Sequence, residues 1–168
     1  MPYKLLFVCL GNICRSPAAE NIMNYLISQN QLSDQIICDS AGTSSYHVGS
    51  PPDRRMSAAA ATRLGIKLHG QARQLKKSDL EDFDLILAMD RENYQDILAL
   101  DRARLYQDKV YLMCDFCSRY TDKEVPDPYY GGADGFNYVI DLLQDASLGL
   151  LKHVNQGRGV RGEGREEG

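Results

Sequence analysis

Residues 5–16 read Leu5-Leu6-Phe7-Val8-Cys9-Leu10-Gly11-Asn12-Ile13-Cys14-Arg15-Ser16, and Pro17 follows. The unbroken apolar run Leu5–Val8 has the pattern of a parallel strand covered on both faces. Ser16 and Pro17 suit the N-cap and first position of a helix. Ala19, Ile22, Met23, Leu26 and Ile27 then recur at helical spacing. The loop between strand and helix holds a cysteine and an arginine with five residues between them. Leu10, Gly11, Asn12, Ile13 and Cys14 can wrap backbone N–H groups around an anion, with the positive end of the helix dipole behind them. That field favours Cys9 as a thiolate at neutral pH, and Arg15 offers a planar fork to two phosphate oxygens. Asn12 is expected in a left-handed conformation, which asparagine tolerates. The loop predicts covalent phosphoryl chemistry with Cys9 as nucleophile.

Working outward, Ile36-Ile37-Cys38 reads as a second strand ending at Asp39-Ser40, before a Ser/Gly/Pro-rich loop over 43–51. A helix is expected from about Asp53 to Arg63, with Gly65 just past its end. Ser78-x-x-Glu81 fits a capping box for a short helix. Leu85–Met89 is a third buried strand, and Asp90 can cap a helix carrying Tyr94, Ile97 and Leu98. Val110–Met113 is a weaker fourth strand, and a last helix is expected from about Asp134 to Lys152. Strands alternating with helices imply one α/β domain, a doubly wound four-stranded parallel sheet with helices on both faces. Ligands of such sheets bind at the carboxyl ends of the strands, so Cys9, Ser40 and Asp90 should gather on one edge. The domain is placed at 1–156. Residues 157–168 contain five glycines and six charges and only Val160 is apolar, so they read as a disordered tail.

A chain of 168 residues can bury the core of a single domain, and 43% hydrophobic with 25% charged residues is ordinary globular composition. The net charge of −4 offers nothing to nucleic acid, and no apolar stretch is long enough to span a membrane. Met1–Lys4 leads straight into a strand and lacks signal-peptide form. Five cysteines, an odd number without secretory context, fit a reducing, cytoplasmic location better than a disulfide framework.

The loop at 9–16, Asp39-Ser40-Ala41-Gly42-Thr43, His69-Gly70-Gln71-Ala72-Arg73, Ala88-Met89-Asp90 and Val125-Pro126-Asp127-Pro128-Tyr129-Tyr130 occur in that order. Together they resemble the low-molecular-weight protein tyrosine phosphatases, from about residue 4 to 152. The resemblance implies hydrolysis of phosphotyrosine in proteins and of aryl phosphates through a phosphocysteine, with no cofactor and no metal. Cys9, Arg15 and Asp127 would carry the catalysis, Asp127 as the general acid that a phenolic leaving group requires. The flanking Pro126 and Pro128 stiffen the segment that aims Asp127, although Pro-Asp-Pro is equally apt as a plain turn. Leu10–Cys14 and Ser16 would bind phosphate, while Tyr46, Tyr129 and Tyr130 would wall the pocket mouth. Ser16 would also assist departure of the sulfur, though a helix cap alone explains a serine there. The resemblance further implies that Ser40 and His69 hold Asn12 by hydrogen bonds, and that Cys9 and Cys14 form a reversible disulfide under oxidation, with a thiol reductant as partner. The expected assembly is a monomer or weak dimer.

An arsenate reductase of the same fold is the rival enzyme. It needs further cysteines soon after the third strand, where this chain reads Asp90-Arg91-Glu92-Asn93-Tyr94. A non-catalytic phosphate-binding regulatory module is the rival of another class, and the intact Cys9, Arg15 and Asp127 argue against it. Cys114-x-x-Cys117 lacks a second ligand pair for zinc and reads as two half-buried thiols. Cys38 reads as strand core, Arg54-Arg55 as a solvated helix face, and His47 and His153 as surface. Asp53 is either a helix-start residue or a neighbour of the loop arginine.

Overall fold

The computed structural model describes residues 1–159. Four parallel strands, β1 (Tyr3–Cys9), β2 (Ile36–Gly42), β3 (Leu85–Ala88) and β4 (Val110–Leu112), form one sheet in the order β2-β1-β3-β4. The helices are α1 (Arg15–Gln29), α2 (Arg54–Leu64), α3 (Lys77–Asp82), α4 (Arg91–Leu100) and α5 (Ala133–Gly159). Leu5, Leu6, Phe7 and Val8 are all fully buried, as a central strand covered on both faces must be. Alternation splits them between two cores. Leu5 and Phe7 face α1, α2 and α5 with Met23, Met56, Phe136 and Ile140. Leu6 and Val8 face α3 and α4 with Leu80, Ile86 and Ile97. Each such side chain contributes about 1.5–3 kcal/mol on burial. The expected doubly wound α/β architecture is the one observed.

The strand order changes direction between β1 and β3. In such sheets the crevice outside the strand ends at that switch point is where ligands bind. The loop after β1 lies there, and it is tied down at its start. Thr43 N–H donates to Cys9 O at 3.0 Å and Ser44 N–H to Leu10 O at 2.9 Å. Gly42 must be glycine for this approach, because a Cβ there would sit 2.8 Å from Leu10 O.

Several boundaries differ from expectation. β2 runs on to Gly42, so Ser40 lies within the strand rather than after it. α1 begins at Arg15 with Cys14 at the N-cap position, so Ser16 and Pro17 fall two positions further in than expected. The Ser16 hydroxyl is engaged by Cys9 and Asn12 instead of capping the helix. In α3 the cap comes from Asp79, whose carboxylate accepts from Lys76 N–H at 2.8 Å, and not from Ser78 and Glu81. α2 ends on Gly65 in the left-handed region (φ 68°), as its glycine suggests. α5 continues past Lys152 to Gly159, and from residue 160 onward the expected tail lies outside the described residues. No helix among the described residues is long and apolar enough to cross a membrane.

Candidate active site

The loop Cys9–Arg15 curls so that its own donors point at the Cys9 sulfur. Asn12 N–H donates at 3.3 Å and Ser16 N–H at 3.4 Å, and the Ser16 hydroxyl lies 3.1 Å away. Two backbone N–H groups and one hydroxyl thus converge on the sulfur. Asn12 makes the curl by taking the left-handed region (φ 58°). Its side chain is held at both ends: Nδ2 donates to Ser16 Oγ at 2.7 Å and to Ser40 Oγ at 3.0 Å, and Oδ1 accepts from Arg73 N–H at 2.9 Å.

That network continues inward. The Ser40 hydroxyl donates to Glu20 Oε1 at 2.6 Å. Burial, aided by Asp39 and opposed by the Ser40 hydrogen bond and Arg73, pushes the Glu20 carboxyl up to about 7. Arg73 is itself pinned by Asp39 on one side and Asp79 on the other, at 3.0 Å each.

Arg15 is 2% exposed and reaches across the sheet edge. Its Nη1 donates to Asp90 Oδ2 at 2.7 Å and to Val125 O at 3.0 Å, and its Nη2 lies 3.6 Å from Asp127 Oδ2. Burial opposes the charge, but Cys9, Asp90 and Asp127 outweigh it and the guanidinium pKa is raised. Asp90 serves twice, because its other oxygen caps α4 by accepting Asn93 N–H at 2.8 Å. The Asp127 carboxylate is braced by Tyr129 N–H at 3.1 Å and is 42% exposed at the cleft mouth. Cys14, buried next to Asp53, Cys9 and Asp127, has its thiol pKa pushed well up, which keeps it protonated.

A cleft of about 520 Å³ opens above the sulfur. Its base is the loop, and its walls are Ser44, Tyr46, His47, Asp127, Tyr129 and Tyr130. Tyr46 and Tyr130 stand at the rim, 85% and 94% exposed. An anion bound against the loop amides and Arg15 would place an attached aromatic ring between these walls.

The model of the low molecular weight phosphotyrosine protein phosphatases matches residues 4–159. The chain belongs to that family. A Synechocystis protein whose name assigns it to the low molecular weight protein-tyrosine-phosphatases is 61% identical over 153 residues, 91% of this chain and 97% of that protein. The human low molecular weight phosphotyrosine protein phosphatase is 38% identical over 137 residues, covering 81% and 85%. A crystal structure of protein tyrosine phosphatase from Entamoeba histolytica, with Hepes in its active site, superposes with a TM-score of 0.88 at 48% identity, over 93% of this chain and 99% of that one. The protein is thus an enzyme of the low molecular weight protein-tyrosine-phosphatase class.

In this phosphatase the fold brings Cys9, Arg15, Asp127, Ser16 and the loop residues Leu10, Gly11, Asn12, Ile13 and Cys14 into one cleft edge, with Tyr46, Tyr129 and Tyr130 around it. Ser40 reaches Asn12, but His69 does not hold it. The main chain of His69 pairs with Asn21 (3.2 and 3.1 Å), and Arg73 N–H takes the Asn12 carbonyl instead. Asp53 is the cap of α2 and the partner of Arg55, while Asp90 is the carboxylate on Arg15. His47 is no mere surface residue. Its ring lies edge-on to Tyr46 (4.8 Å between centroids) and 6.0 Å from Tyr129, and it closes over Gly11, where a Cβ would come within 3.0 Å of it. Its place in the loop between Tyr46 and Pro51 was the available signal. Glu20, Arg73 and Arg55 carried no local signal, because each is defined by partners far along the chain. Cys114 and Cys117 sit away from the cleft after β4, both with pKa pushed up by burial, and no metal-binding cluster occurs among the described residues.

Proposed function

We propose that this phosphatase hydrolyses phosphotyrosine in proteins by a two-step route through a phosphocysteine, using its own side chains and no metal ion. The observation that carries the reading is the placement of the Cys9 sulfur, the Arg15 guanidinium and the Asp127 carboxyl around one cleft. In the first step the Cys9 thiolate attacks phosphorus in line. An S–P bond forms as the P–O(aryl) bond breaks, and the proton on Asp127 passes to the leaving phenolic oxygen. Arg15 and the loop amides bind the equatorial oxygens, where charge accumulates. In the second step the Asp127 carboxylate takes a proton from water, the new O–P bond forms, and the S–P bond breaks to return the thiolate. The Ser16 hydroxyl, 3.1 Å from the sulfur, donates to it as it leaves.

Asp90 is what lets Arg15 sit 2% exposed and still present its second nitrogen to the substrate. An unpaired buried guanidinium would be too costly. The aromatic rim favours phenyl over short alkyl phosphates, because Tyr46, Tyr129 and Tyr130 line the cleft and offer ring surface to an aryl group. The test is steady-state hydrolysis of phosphotyrosine peptide and phenyl phosphate, with and without EDTA, by wild type and Cys9→Ser. Wild type should turn over equally in both conditions. Cys9→Ser should be inactive yet still bind vanadate, since Arg15 and the amides remain. Turnover by Cys9→Ser, or loss of wild-type activity in EDTA, would refute the mechanism.

A further inference from the structure

Arg55 lies in the first turn of α2, where a charged residue would ordinarily face water, yet its guanidinium is used twice. One edge is clamped by Asp53, with Nε 3.2 Å from Oδ1 and Nη2 3.0 Å from Oδ2. Its central carbon also lies over two rings, 5.1 Å from the Tyr129 centroid and 4.7 Å from that of Phe136. Asp53 is not a free surface carboxylate: its side chain is 10% exposed, and its own N–H donates to Ile13 O of the phosphate loop at 2.7 Å. Phe136 is 1% exposed in α5. Tyr129 follows Asp127 by two residues, and its N–H is the donor that braces the Asp127 carboxylate at 3.1 Å.

These contacts form a continuous strut. It starts on the phosphate loop at Ile13, passes through Asp53 and Arg55, and ends on the ring of the residue that orients Asp127. The Asp127 segment is also tied at its entry, where Val125 N–H donates to Met89 O at 2.8 Å and Val125 O accepts from Arg15 Nη1 at 3.0 Å. Asp127 itself lies 3.6 Å from Arg15 Nη2, so Arg55 adds to these ties at the Tyr129 end.

We propose that Arg55 is a positioning residue for the general acid: its planar guanidinium, clamped by Asp53, registers the Tyr129 end of the Asp127 segment against the phosphate loop. Arg55 touches neither the phosphate site nor Cys9. Its effect passes through Asp127, so the inference rests on the reading of Asp127 as the acid. A planar fork is required, because only it can hold a carboxylate at its edge while stacking on rings with its face. A lysine at this position keeps the charge and loses both constraints.

The consequence is specific to leaving group. A displaced acid hurts substrates whose phenolate is a poor leaving group and hardly affects those that leave unassisted. The experiment measures kcat/KM, which reports the first step, for a series of aryl phosphates from phenyl to dinitrophenyl, on wild type, Arg55→Ala, Arg55→Lys and Asp127→Asn. Vanadate affinity and thermal unfolding are measured alongside. Arg55→Ala should lose on the order of 10-fold or more on phenyl phosphate, a fraction of the 10²–10⁴ of a lost acid, and about 2-fold or less on the dinitrophenyl ester. Vanadate affinity should stay within about 2-fold, because the loop amides and Arg15 are untouched. Arg55→Lys should resemble Arg55→Ala.

A uniform loss across the series, a parallel loss of vanadate affinity, or full rescue by Arg55→Lys would overturn the proposal. If Asp127→Asn shows the leaving-group dependence and Arg55→Ala does not, the Arg55 assignment alone falls. If Asp127→Asn lacks it too, the general-acid reading falls, and the Arg55 assignment falls with it.

Discussion

Replacing Asn12 by alanine and, separately, by glycine tests how the phosphate loop holds its shape. The side chain makes three hydrogen bonds, to Ser16 Oγ, Ser40 Oγ and Arg73 N–H. At about 1 kcal/mol net for each, their loss costs roughly 3 kcal/mol. The two serine hydroxyls keep other partners, Cys9 and Glu20, so only the Arg73 N–H is orphaned. Alanine must then also hold φ near 58°, which costs about 1–2 kcal/mol, whereas glycine adopts it freely. Glycine gives back part of that advantage as entropy of the unfolded chain, about 0.5–1 kcal/mol. Asn12→Ala should therefore lose roughly 4 kcal/mol in urea unfolding and Asn12→Gly somewhat less. Against a typical stability of about 5–15 kcal/mol that is a large fraction. Both variants should also lose kcat/KM, because the Asn12 N–H on the Cys9 sulfur is no longer held in place. A loss below about 1 kcal/mol in Asn12→Ala, or alanine more stable than glycine, would refute this account.

Asp127→Asn should lower kcat/KM for phenyl phosphate by roughly 10²–10⁴, with the loss shrinking as the leaving group improves; a loss independent of leaving group would make Asp127 a turn residue. Glu20 has a folded pKa of about 7 against an ordinary 4.5, so the folded state holds its proton more tightly than the unfolded chain. Its contribution is thus fully present below about pH 4.5 and is lost as pH rises through 7, on the order of 3 kcal/mol in all. Glu20→Gln should flatten the stability profile over that window, and an unchanged slope would count against the assignment. Under peroxide, Cys9 should be oxidised to a sulfenic acid and condense with the Cys14 thiol, losing water and forming a disulfide that a dithiol reverses. Peptide mass spectrometry checks the pairing, and a dominant Cys114–Cys117 linkage would contradict it.

The chemistry-bearing loop was legible because it is contiguous. Strand, Cys9, Arg15 and helix follow one another within a single stretch, and the apolar run Leu5–Val8 announces a strand buried on both faces whatever lies around it. Asp127 was legible through its Pro-Asp-Pro-Tyr setting, and Asp90 through its place as a helix cap. Local pattern could not reveal which groups those residues meet. Asn12 is held by β2 and by Arg73, Arg15 by Asp90 and Val125, and Tyr129 by Arg55. Ser16 satisfies the pattern of a cap, yet it is drawn to Cys9 and Asn12, because an oxygen next to a buried sulfur and a buried amide has stronger partners there than the helix end offers. His69 has the look of a support residue and loses that place to a backbone amide four positions on. Periodicity and motif spacing are properties of one segment, and they determined the strands, most of the helices and which side chains to examine as reactive groups. Hydrogen-bond and ion-pair partners depend on the crossovers that bring the carboxyl ends of β1, β2 and β3 to one edge, and only the tertiary structure decided those.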